Sequence, residues 1–163
     1  MNDETNDGRM SIIVRTIATM MLPFILIFSF YVIMHGHLTP GGGFQGGAIA
    51  ASAIVMMIAA YGHKMMEKRI SEDGLSMVES VGATIFAVVA FIGVIMAASF
   101  MYNFLVGTPL FGETPPFGSN PGILNSGGVL PILNIAVGMK VIGGLAAVVL
   151  IMALAGDEEG DKK

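Results

Sequence analysis

The chain has 163 residues, 54% of them hydrophobic and 12% charged, and its mean hydropathy is +0.77. An ordinary soluble domain carries about a quarter charged residues, so the balance argues against a soluble protein and for a membrane one, long enough for about four spans of ~20 residues. Cys is absent, which excludes disulfides, thiolate metal sites and a Cys nucleophile, and the net charge of -4 says little because the acids crowd the termini and one loop.

In chain order, "MNDETNDGR" is a polar, acidic start, unlike the basic start of a signal peptide, and the apolar segment behind it is too long for one. Residues 12–34 are nearly all apolar and predict a first spanning helix. Arg15 in its first turn can snorkel to the interface, and Pro23 at mid-span should kink it. A second span covers about 44–61. The polar stretch 62–76 carries Lys64, Lys68 and Arg69. A third span covers about 77–103. Residues 105–128 are rich in Gly and Pro and cannot form a regular element. A fourth span covers about 129–155, and "GDEEGDKK" behind it is a solvated tail.

The expectation is an all-α integral membrane protein with four transmembrane helices in a single membrane domain, 1–163. Four spans put both termini on one side, together with Arg9, Arg15, Lys64, Lys68, Arg69, Lys162 and Lys163. These are seven of the eight Lys and Arg residues, and the two opposite loops carry none. By the positive-inside rule, both termini and the 62–76 loop are cytoplasmic in a cell-membrane protein. The 14 Met residues read as flexible apolar filler between helices rather than a metal-binding box.

"HGHLTPGGGFQGGA", residues 35–48, contains a formal G-x-G-x-x-G from Gly41 through Gly43 to Gly46. A dinucleotide site needs a strand before those glycines and a helix after them. Here a membrane helix precedes them, and the acid at a suitable distance, Glu67, lies across the membrane. No Lys-Ser/Thr follows, so a P-loop fails as well, and no nucleotide is expected. The packing reading fits better. Thr39-Pro40 ends the first helix, and Gly41, Gly42 and Gly43 permit a path closed to other residues. Gly46 and Gly47, with Phe44 beside them, then begin a small-residue face for close helix packing. His35 and His37 stand at the same mouth and are candidates for proton handling, because imidazole titrates near neutral pH.

Lys140 is the one charge well inside an apolar span, roughly 16 Å and 24 Å from the ends of the fourth helix. A charged Lys at mid-membrane costs about 2.5–3.5 kcal/mol on insertion scales, so such groups are functional by default. Ala136, Val137, Gly143 and Gly144 surround it at helical spacing and leave room for another helix. No Asp or Glu falls within an apolar span on this reading. Glu79 is placed in the first turn of the third helix at the cytoplasmic boundary, and Glu113 in the outer loop. Lys140 is therefore expected to meet an acid, a polar cavity or carbonyls contributed largely by another subunit. Asn103 and Asn134 suggest interhelical hydrogen bonds, and Tyr31, Tyr61 and Tyr102 sit where interfacial aromatics belong. No Ser-His-Asp set, His-x-x-x-His pair or basic patch is present, so no catalytic residue, metal, cofactor or nucleic acid is expected.

The stretch "FSFYVIMHGHLTPGGGFQGG", residues 28–47, resembles the signature of the MnhB/MrpB-like subunit of Mrp-type multi-subunit Na+/H+ antiporters. Length, four spans and a polar cytoplasmic loop agree with that family over most of the chain, and 105–128 departs from it. The same subunit type recurs in archaeal membrane-bound hydrogenase and sulfur-reductase complexes. The resemblance implies a non-catalytic subunit that packs against other antiporter subunits in the lipid bilayer and helps form a route for Na+ and H+. Lys140, His35 and His37 are the ion-path candidates. A single Lys without an acid cannot exchange Na+ for H+ alone, so the chemistry is expected to be shared; the alternatives are the same subunit in a redox-driven complex and a purely structural assembly subunit.

Overall fold

A computed structural model describes residues 10–39, 41–62, 65–66, 68–115 and 122–160; side chains are described through residue 155. Pro40, which the sequence assigns to the end of the first helix, lies outside the described residues. Four α-helices dominate: α1, Ile12–Met34; α2, Gly43–Tyr61; α3, Glu72–Ala97; and α4, Leu130–Gly160. Each contains a stretch long and apolar enough to cross a membrane. No strand occurs among the described residues; the nearest approach to one is an isolated bridge between Glu113 and Ser126.

The helix ends follow local chemistry. Ser11 caps α1, its hydroxyl accepting from the Val14 amide. Ser71 caps α3 in the same way, accepting from the Gly74 amide at 3.1 Å, and Glu72 and Asp73 sit where the helix dipole favours acids. The third helix thus begins at Glu72 rather than near residue 77, and it ends at Ala97 rather than 103. Ala98, in the left-handed region at φ 51°, stops it, and the chain folds back over Gly93, where a Cβ would meet the Tyr102 amide at 2.5 Å. The fourth helix continues five residues beyond the expected 155, to Gly160.

The helices alternate in direction. The Met10 amide donates to the Ala60 carbonyl at 3.1 Å, so the start of α1 lies beside the end of α2. Gly82 packs on Ala136 and Gly143 on Leu75, so α3 and α4 are antiparallel. Ile58, Met66, Leu75, Ala146 and Leu150 form an apolar cluster joining the end of α2, the α2–α3 connection, the start of α3 and the later part of α4. The start of α1 and the end of α4 therefore share one end of the bundle.

Close packing relies on small side chains. Ala18, Ala50, Ala51, Ala53, Ala60, Ala136 and Ala146 are all buried. Large apolar groups point outward instead, Ile95 at 84% exposure among them, as lipid or neighbouring protein requires. The described residues between α3 and α4 form no regular element but are firmly tied. The Asn125 side chain accepts from the Phe111 amide at 2.7 Å and donates to the Pro109 carbonyl at 3.2 Å. Asn103 donates to the Gly127 carbonyl at 3.2 Å and accepts from the Val129 amide at 2.9 Å, pinning the loop to the start of α4.

Candidate functional site

The glycine stretch is a three-helix seat. The side chain of Gln45 reaches back to accept from the Gly42 amide at 3.0 Å and holds the first turn of α2. From there α2 runs parallel to α4. A Cβ on Gly43 would strike the Asn134 carbonyl, and one on Gly47 would lie 2.7 Å from Val141. On the other side, Gly46 presses against Ile33 of α1, and the Ser29 hydroxyl donates to the Gly46 carbonyl at 2.7 Å. Steric approach, not backbone freedom, is what most of these glycines supply. Gly41 alone of the run has positive φ in the left-handed sense, at 134°; Gly42 at 177° is simply extended, and Gly43 is helical. The small face beginning at Gly46 is used by two helices of the same chain.

Lys140 and Glu79 form the one ion pair among the described residues, with Nζ to Oε1 at 3.1 Å. This corrects two expectations. Glu79 is not in the first turn of its helix but two turns inside, because α3 starts earlier, which puts it about 10 Å along the span. The chain itself supplies the carboxylate that was expected to come largely from another subunit. Gly82 and Gly143 make the meeting possible. A Cβ on Gly143 would approach the Glu79 amide to 2.8 Å, whereas one on Gly144 would meet the Glu79 carboxylate at ordinary contact distance.

The pair is open on one side. The side chains of Lys140 and Glu79 retain 52% and 39% of their exposure. They line a groove of about 860 Å³ on the outer face of α3 and α4, with Glu72, Asp73 and Ser76 along it and Phe44 also on its wall. Glu72 and Asp73 belong to the first turn of α3, so acids lead from the helix end to the inner pair.

The histidines lie elsewhere. His35 follows the last turn of α1; its Nδ1 is 3.0 Å from the Tyr31 carbonyl oxygen and its ring centroid 4.0 Å from that of Tyr31. His37 is tucked against Gly127 of the α3–α4 loop, both ring nitrogens buried without a hydrogen-bond partner. The structure thus joins Phe44 to the Lys140 groove and leaves His35 and His37 at the seat's loop side. Among the described residues no three His, Asp or Glu side chains converge as a metal ion would need. Glu79 is the functional candidate that the sequence placed at the wrong depth, and Asn103 is a loop anchor rather than an interhelical group. The Ser71-Glu72-Asp73 helix start was the available signal for the first.

Comparisons with known proteins agree with this architecture. Residues 13–147 match the family model described as a domain related to the MnhB subunit of Na+/H+ antiporters. A protein of Methanocaldococcus jannaschii is 30% identical over 154 residues, 90% of this chain, which spans about half (53%) of that relative's length. A Staphylococcus haemolyticus protein named as antiporter subunit mnhB2 is 36% identical over 63% of this chain and 73% of its own length. A Na+/H+ antiporter subunit of Bacillus subtilis is 45% identical over 62 residues, 37% of this chain and 41% of its own. Among solved structures, a chain of the membrane-bound sulfane sulfur reductase, an archaeal respiratory membrane complex, superposes with a TM-score of 0.72 at 31% identity. The match covers 91% of this chain and 60% of that one.

Proposed function

The chain belongs to the MnhB family of Na+/H+ antiporter subunits, and from that premise we propose that it is a non-catalytic subunit of a multi-subunit cation/proton antiporter module that contributes Lys140 and Glu79 to an ion path. The observation that carries the reading is a Lys–Glu pair inside two spanning helices, open toward the outside of the subunit. Charges at such depth are costly toward lipid, so the open side calls for polar protein or water. A neighbouring antiporter subunit supplies that cover.

In this reading Lys140 is a resident cation for Glu79. An arriving sodium ion or proton competes with the ammonium for the same carboxylate, and Lys140 swings toward acceptors on the neighbouring subunit. Glu72 and Asp73 raise the local concentration of cations at the groove's mouth. His35 and His37 handle protons on the far side of the glycine seat. Both termini face the cytoplasm, following the distribution of basic residues.

The test is sodium-dependent proton movement in membrane vesicles carrying the complex with Lys140→Leu. Transport should fall to near background while the subunits still co-purify. Full transport in a correctly assembled Lys140→Leu complex overturns the ion-path role. A second reading, favoured by the likeness to the sulfane sulfur reductase chain, seats the same subunit type in a redox-driven ion pump. Co-purifying iron–sulfur subunits would select it.

A further inference from the structure

A second cavity, about 480 Å³ in volume, lies between α1, α2 and the α2–α3 connection. Leu22, Leu26, Ile54 and Met57 give it apolar walls, and Tyr61 and Arg69 bring polar groups to the end near the chain's termini. From Ile54 to Tyr61 it follows α2 for about 10 Å, from the span's interior to its edge. Size and lining are those of a ligand site, since such pockets run roughly 300–1,000 Å³ and are mostly apolar with a few placed polar groups.

The polar end carries the guanidinium of Arg69. Among the described residues the lining contains no carboxylate. The Tyr61 hydroxyl is fixed 2.6 Å from Thr19 Oγ1, and the Arg15 guanidinium lies over its ring, 5.9 Å from the centroid. Arg15 Nε is buried without a partner, and neither Arg15 nor Arg69 is ion-paired among the described residues. A long apolar slot with the Arg69 guanidinium at its polar end, and Arg15 behind the Tyr61 ring that lines it, matches one molecular shape, an apolar tail with an anionic head. Guanidinium groups engage phosphate with charge-assisted, often bidentate hydrogen bonds, and basic pockets between membrane helices select anionic headgroups.

We propose that this cavity binds an anionic phospholipid, one acyl chain lying between α1 and α2 and the phosphate held by Arg69. A zwitterionic lipid offers the same tail without net charge. Inorganic phosphate offers the anion without the tail. Both should bind more weakly.

The test is native mass spectrometry of the full chain, purified with its companion subunits, stripped of lipid and titrated with phosphatidylglycerol or with phosphatidylcholine of the same acyl chains. The wild type should retain phosphatidylglycerol about tenfold better, the worth of one charge-assisted hydrogen bond. Arg69→Ala should abolish that preference. Met57→Trp, which fills the slot, should remove retention of both lipids without loss of companion subunits. Millimolar inorganic phosphate should leave the bound lipid in place. Equal retention of the two lipids by the wild type overturns the proposal, as does an unchanged preference in Arg69→Ala. Displacement by inorganic phosphate would mark a free-anion site instead. Loss of a companion subunit with Met57→Trp would mark the cavity as the seat of a partner's side chain, which also overturns it.

Discussion

Lys140 of α4 and Glu79 of α3 are 61 residues apart in the chain and 3.1 Å apart in space. Gly82 and Gly143 bring their two helices close enough for the side chains to meet, one turn of helix to either side of the pair. The ion pair therefore reports on helix packing as well as on charge.

Removing either charge strands the other at membrane depth. Glu79→Gln and Lys140→Gln should each impair sodium-dependent transport, and the double replacement should assemble better than the Glu79→Gln single. A double-mutant cycle on thermal stability of the purified complex should give a coupling of about 0.5–3 kcal/mol, the range for residues in contact. Additive losses would show that the pair does not interact in the assembled complex.

Glycine replacements should sort by what a methyl group would meet. Gly43→Ala drives a Cβ into the Asn134 carbonyl and Gly46→Ala into Ile33, so each should destabilise by about 1–3 kcal/mol, the usual cost of overpacking. Gly144→Ala meets Glu79 only at 3.5 Å and sits within a helix, so it should be neutral or mildly stabilising. Melting curves of the three variants check this order, and equal losses would refute it.

Asn103→Ala removes two bonds that hold the α3–α4 loop to α4. A loss of about 1–3 kcal/mol is expected, because the Val129 amide is left unpaired, while the Gly127 carbonyl keeps only its bond from the Leu130 amide. Hydrogen exchange should accelerate across residues 122–129 while the glycine seat stays protected. Faster exchange spread evenly over all four helices would count against a local anchor.

Sidedness can be read with single cysteines, since the chain has none of its own. A Cys at Ser71 should react with a membrane-impermeant maleimide only from the cytoplasmic side, and a Cys at Thr114 only from the other; both positions are exposed. Reversed labelling would overturn the orientation inferred from the basic residues.

Most of the helical frame was legible because apolar length is a local property. Runs such as 12–34 announce a span without reference to anything else in the chain. The glycine stretch was legible in kind, since Gly46 and Gly47 cannot occupy volume. Their partners Ile33, Val141 and Asn134 were hidden, because partner choice depends on tertiary approach. The Lys140–Glu79 pair was missed for a local reason with a distant effect. Starting α3 near residue 77 left Glu79 at the surface, whereas the Ser71 cap adds more than a turn and carries it inward. His37 had no signal at all, since its burial comes from Gly127, ninety residues later in the chain.

The parallel packing of α2 on α4 has a consequence for how the protein is made. Gly43 and Gly47 lie in the α1–α2 hairpin, yet the groups that cover them, Asn134, Val137 and Val141, are synthesised about ninety residues later. During biogenesis the hairpin enters the bilayer with this notch unfilled, and it stays so until α4 leaves the ribosome. The newborn chain is thus an incomplete object for as long as translation of about ninety residues takes, several seconds at ~5–20 residues per second. Quality control that inspects the notch in that interval would tell by a single criterion whether α4 has arrived.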